Sequence, residues 1–139
     1  MKFVLDSNIA IKWVLPESDT AQSLALRDNF LKQVHELIAP DVFPVEVAHA
    51  LTKAERRGLI PQSESILKLA DVMAIAPTLY SYLPLLPRAM EISTRARIGV
   101  YDCLYVALAE QERCELITAG ARLAKALPGY PIIDLASWP

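Results

Sequence analysis

Short unbroken apolar runs alternate along this chain with longer, helix-like segments. Residues 2–5, 37–39, 115–118 and 131–134 have the length and flanks of buried strands. Residues 74–76, just before Pro77, are read as one more short strand. The segments between carry helix punctuation. Residues 8–15 are stopped by Pro16, and 18–33 have Ser18 as a cap. Residues 44–57 place Pro44 at the first helical position and Gly58 just past the end. Further helices are predicted over 61–73, with Gln62 and Ser63 near the start, 84–97 closed by Gly99, 102–113 and 121–127. Strands alternating with helices predict an α/β fold, a mostly parallel central sheet flanked by helices. In such sheets chemistry gathers at the carboxyl ends of the strands, so that is where acids matter.

Composition narrows the picture without directing it. A chain of 139 residues has room for one domain, 1–139, and one sizeable core. With 53% hydrophobic and 22% charged residues it is an ordinary globule rather than a disordered chain. No apolar run approaches the roughly 18 residues of a membrane span. Asp6 interrupts any signal-peptide core, so the expected location is the cytoplasm. A net charge of -2 gives no global pull toward nucleic acid, and an RNA partner would need a local basic patch. Cys103 and Cys114 lack metal-type spacing and sit in helical patterns, which predicts reduced thiols.

Three acids stand where the predicted fold converges. Asp6 directly follows the first strand, Glu46 lies in the first turn of the helix beginning near Pro44, and Asp102 opens a helix whose next seven residues are apolar. A helix apolar on every side is central and buried, so its opening carboxylate is only partly hydrated. Each acid taken singly also suits a helix cap or the positive end of a helix. Brought together, they would repel one another unless a divalent cation sat between them, and oxygen-only ligands select a hard ion such as Mg²⁺ or Mn²⁺. Spacing leaves both readings open.

The order of motifs adds a resemblance. Val4-Leu5-Asp6-Ser7-Asn8 with Lys12-Trp13, then Pro44-Val45-Glu46-Val47-Ala48-His49-Ala50-Leu51, then Val100-Tyr101-Asp102-Cys103-Leu104-Tyr105-Val106-Ala107-Leu108-Ala109-Glu110, then Leu116-Ile117-Thr118-Ala119-Gly120-Ala121-Arg122-Leu123, resemble in sequence the four motifs of PIN domains, in particular the VapC toxins. The resemblance runs from residue 3 to about residue 135. It implies a PIN-like three-layer sandwich, a divalent-metal ribonuclease that is usually a homodimer, and a VapB-type antitoxin as partner. By position it makes Asp6, Glu46 and Asp102 the metal-binding acids and Thr118 a hydroxyl beside the metal. Ser7 or Asn8 would then orient the first acid. At one position the chain departs: Gly120 stands where the family usually has aspartate. Glycine supplies no ligand, which implies weaker metal binding and reduced cleavage unless Asp134, Glu115 or water substitutes.

Two rival functions follow. A degenerate PIN module would bind RNA or an antitoxin without cutting, with Gly120 as its support. A phosphatase with an aspartyl nucleophile at Asp6, of the haloacid-dehalogenase type, wants a second aspartate two residues on, and the chain has Asn8 there. For RNA, Glu46, His49, Lys53 and Arg57 share one face of the helix over 44–57, opposite Val47, Ala50, Leu51 and Ala54. That face suits either an RNA backbone or plain solvent. Arg95, Arg97, Arg122 and Lys125 carry the same ambiguity. His49 three residues after Glu46 does not make a di-iron site, which needs a second such pair. Trp13, Tyr101 and Tyr105 are expected in core or dimer packing. Leu79, Tyr80, Tyr82, Leu83, Leu85 and Leu86 form an apolar segment for an antitoxin, a dimer partner or the core.

Overall fold

The computed structural model describes residues 1–15, 20–32 and 34–138. Its centre is β1 (Lys2–Leu5), in which Phe3, Val4 and Leu5 are buried. β2 (Glu36–Pro40) and β4 (Glu115–Thr118) flank it, with β3 (Thr78–Tyr80) beyond β2 and β5 (Ile132–Asp134) beyond β4. Val4 sits opposite Ile38 on one side and Leu116 on the other. Every one of the four strand pairings is parallel, so the sheet is more uniform than expected.

The connections place the site. The chain steps outward from β1 to β2 to β3, then returns across the sheet to begin β4 on the other flank of β1. This reversal opens a crevice at the carboxyl ends of β1 and β4. Asp6 is the residue after β1, and Thr118 is the last residue of β4.

Among the described residues seven α-helices accompany the sheet: α1 (Ser7–Lys12), α2 (Thr20–Leu31), α3 (Phe43–Arg56), α4 (Glu64–Met73), α5 (Leu86–Ala96), α6 (Val100–Glu112) and α7 (Ala121–Ala126). Residues 103–109 of α6 are all buried, and the helix packs on β1, β2, β4 and α5. Its all-round apolar character reflects that central position. On α3, Val47, Leu51 and Ala54 are buried while His49, Lys53, Arg56 and Arg57 are exposed, as the helical period requires. The expected Ser18 cap lies outside the described residues.

Several boundaries differ from the sequence reading for local reasons. The strand expected at 74–76 does not form; Ala74 caps α4 with its N–H on Ala70, and the Ile75 N–H returns to Val72. Those donors are already used, Pro77 has none, and pairing starts only at Thr78 opposite Ile38. α4 begins at Glu64 rather than 61, because Ser63 is left-handed (φ 74°). The Glu55 carboxylate accepts the free Ser65 N–H at 3.2 Å. α5 is preceded by a 3-10 turn, Leu83–Leu85, and is closed not by Gly99 but by Arg97, at φ 58° and ψ 46°. Gly99 instead starts α6, which puts Asp102 in the first turn rather than at the opening.

Candidate active site

Asp6 is the buried member of the acid group. Thr118 Oγ1 donates to its Oδ2 at 2.8 Å, while its Oδ1 accepts the Asn8 N–H at 3.4 Å and, longer, the Ser7 hydroxyl at 3.5 Å. Asp6 therefore also caps α1, so its cap reading and its site reading hold together. Asn8 ties the two strand ends: its Nδ2 donates to Thr118 Oγ1 at 3.2 Å and its Oδ1 accepts the Ala119 N–H at 3.1 Å. Thr118 Oγ1 accepts in addition from the Gly120 N–H at 3.0 Å. Two carboxyl-end residues of adjacent parallel strands are thereby held in one hydrogen-bonded unit.

Glu46 stands half-buried in the first turn of α3. Its Oε1 accepts from the Tyr105 hydroxyl and, at 3.4 Å, from the Ser7 hydroxyl. Ser7 thus lies between Asp6 and Glu46. Tyr105, expected in core or dimer packing, packs in the core, and its hydroxyl also reaches the acids. The signal was present in the sequence, because a tyrosine in an otherwise apolar buried helix needs a partner for its O–H. Tyr101 is 58% exposed, which removes the core half of its expected core or dimer packing and leaves the dimer half.

The three acids share one electrostatic neighbourhood. Burial pushes the Asp6 carboxyl up to about 7, the Thr118 hydrogen bond opposes the rise, and the charges of Asp102 and Glu46 add to it. Glu46 is raised by desolvation first, with the charge of Asp102 adding and the Tyr105 and Ser7 hydroxyls opposing. Asp102, exposed as a residue, is still raised by desolvation of its carboxyl. Among the described residues no Lys or Arg forms an ion pair with any of the three. The convergence is incomplete: among those residues no three His, Cys, Asp or Glu side chains lie close enough to hold one ion jointly. Asp6 and Asp102 line one cleft of about 400 Å³, together with Asn8, Thr118, Gly120 and two arginines. Glu46 opens on the neighbouring depression with Ser7, His49 and Tyr101.

Neither Glu115 nor Asp134, the acids that could substitute for the one missing at Gly120, lines the cleft of Asp6 and Asp102. Glu115 opens β4 beside Phe3, at the far end of the strand from Asp6. Asp134 lies opposite Thr118 in register, but its carboxylate caps the closing 3-10 turn through the Ala136 N–H at 3.2 Å. Of the segment over 79–86, Leu85 joins the core while Leu79, Tyr82 and Leu83 are exposed.

A parallel α/β sheet with an acid-lined crevice at its switch point belongs to the class of open α/β folds that bind ligands at the carboxyl ends of their strands. The chain belongs to the PIN domain family, which its residues 3–126 match. Ribonuclease VapC3 of Pyrobaculum aerophilum is 32% identical over 130 residues, covering 92% of this chain and 96% of that protein. A crystal structure from Pyrobaculum aerophilum has the same fold, with a TM-score of 0.73 at 20% identity over 99% of this chain and 91% of that one. So does VapBC2 from Rickettsia felis, solved bound to a DNA fragment from their promoter, with a TM-score of 0.69 at 16% identity over 96% and 98% of the two chains.

Proposed function

We propose that this protein is a metal-dependent ribonuclease acting as the toxin of a VapB–VapC-type toxin–antitoxin pair. The relatives named as VapC ribonucleases support the activity, and the similarity to a VapBC structure supports the antitoxin partner. The observation that carries the reading is the buried Asp6 carboxyl, which shares its field with Asp102 and Glu46 and has no ion-pair partner among the described residues. Such a group is uncomfortable alone and suits a bound dication. The donor set is oxygen only, which fits Mg²⁺ or Mn²⁺, held by Asp6 and Asp102 with Glu46 alongside. When bound, the ion supplies relief of phosphate charge and a lowered pKa for a coordinated water.

The chain's own groups do the rest. Thr118, Asn8 and Ser7 fix the Asp6 carboxylate against rotation. Glu46 has its Oε1 occupied by two hydroxyls, leaving Oε2 to take a proton from the attacking water. Water adds at phosphorus, the bond to the departing nucleoside oxygen breaks, that oxygen takes a proton from solvent while Glu46 returns its own to the solvent, and RNA is cut within the chain. No helix among the described residues is long and apolar enough to cross a membrane. A homodimer belongs to this reading. Val45, Tyr82 and Tyr101 offer it an exposed apolar surface beside Glu46.

With Gly120 in its wall the cleft is lined by two acids, Asp6 and Asp102, with Glu46 in the depression beside it, so this reading includes weakened metal binding and reduced cleavage. The same glycine favours the second reading, a module that binds RNA or antitoxin without cutting. Incubating the purified protein with RNA in Mg²⁺, Mn²⁺ or EDTA, beside the Asp6→Asn variant, separates them. Cleavage that needs the metal and Asp6 supports the ribonuclease; binding without any metal-dependent cleavage supports the module.

A further inference from the structure

Two cations share the acid cleft without neutralising it. Arg97, at the end of α5, and Arg122, in α7, line the same cavity as Asp6 and Asp102. Neither guanidinium makes a hydrogen bond or ion pair among the described residues, although carboxylates line the same walls. Arg88 shows the contrast, being committed to Glu110 and Glu91. The backbone at Arg97 is also costly: φ 58° is left-handed, the position after a helix where glycine is the default. Arg113 ends α6 with the same left-handed backbone (φ 54°) and lines no part of this cleft, so what sets Arg97 apart is its place, unpaired among the described residues, in the wall beside the acids.

We propose that Arg97 and Arg122 form a phosphate subsite, gripping a backbone phosphate of single-stranded RNA next to the one presented to Asp6 and Asp102. The inference rests on the ribonuclease reading and deepens it by naming how the strand is held. Charge makes the pair necessary. Asp6 and Asp102 in the cleft, with Glu46 in the depression beside it, set acidic groups where a phosphodiester would enter, and Arg97 and Arg122 offset them. Guanidinium suits this task because its planar fork meets two phosphate oxygens at once. Lys53 and Arg57 line a separate depression on the other side of Asn8, with no acid of the cleft in it.

The test measures binding of a short fluorescein-labelled oligouridylate across a salt series, in EDTA and in CaCl₂, for wild type, Arg95→Gln, Arg97→Gly, Arg122→Gln and the double variant. Arg95 is exposed on the same helix and lines no part of the cleft. Wild type and Arg95→Gln bind alike, and the double variant binds about tenfold more weakly or worse. Its log–log salt slope becomes shallower by about 0.7 for each arginine removed. Arg97→Gly meanwhile melts no lower than wild type, since glycine relieves the left-handed backbone, so affinity and stability move in opposite directions. Equal binding by the double variant and Arg95→Gln overturns the subsite, as does a loss of binding that tracks a loss of fold. Retained RNA affinity with lost affinity for an Asp/Glu-rich peptide overturns it in favour of a protein partner. No RNA binding by wild type in either buffer removes both the subsite and the ribonuclease reading.

Discussion

The Tyr105 hydroxyl donates to Glu46 Oε1 at 2.5 Å, joining α6 to α3 across 59 residues of chain. The Tyr105 ring is buried, so its O–H has few alternatives, and the bond fixes which oxygen of Glu46 remains available. Tyr105→Phe keeps the ring and removes the hydrogen bond. Groups that orient a metal-site carboxylate typically account for about 10–100-fold in metal affinity or activity. Calorimetric titration with Mn²⁺ therefore shows an affinity loss in that range while far-UV circular dichroism stays unchanged. Unaltered affinity and activity would make Tyr105 a packing residue only.

Asp6 makes stability fall with rising pH in metal-free buffer. Its folded carboxyl titrates at about 7 against an ordinary 3.8, so between those values the folded protein holds a proton that the unfolded chain has released. Stability contributed by that proton is present below the unfolded value and is lost as pH rises through the folded one. At about 1.4 kcal/mol per pH unit, the whole window is worth on the order of 4 kcal/mol. Asp6→Asn retains a good cap residue and removes the ionisation. The melting temperature of the variant minus that of wild type should grow from pH 5 to pH 8. Adding Mg²⁺ at pH 8 raises the wild-type value and leaves the variant where it was. A constant difference across pH would argue against a strained Asp6 carboxylate.

Gly120 tests how many acids the cleft needs. A Cβ built there meets Asn8 Nδ2 and Thr118 Oγ1 at 3.5 Å each, which is ordinary contact. The φ of −87° is open to any residue. Gly120→Asp is therefore accommodated, adds a carboxylate to the wall shared by Asp6 and Asp102, and should tighten Mn²⁺ binding and raise metal-dependent cleavage. Unchanged Mn²⁺ affinity in a folded variant would show that the missing acid is not a ligand.

The sequence revealed the strand ends better than the contacts between them. Asp6, Glu46 and Asp102 stood out as candidates because each lies near an element boundary, whereas Thr118 entered only through the resemblance to PIN domains. The misplaced strand at 74–76 shows the limit: Ala74 and Ile75 are apolar enough for a strand, but the helix before them had already claimed their N–H groups. Arg97 shows another, since glycine is the usual left-handed residue and Gly99, two positions on, was read as the closing residue in its place. Tyr105 and Tyr101 carry the same side chain four residues apart, yet one is buried against Glu46 and the other is exposed. Only the packing of α6 on the sheet decides between them.

Anomalous scattering from a crystal soaked in Mn²⁺ addresses the central proposition most directly. The account predicts a peak at about 2.1 Å from carboxylate oxygens of both Asp6 and Asp102, with Glu46 close by. A well-diffracting crystal with its Mn²⁺ peak elsewhere, or with none in that cleft, contradicts it.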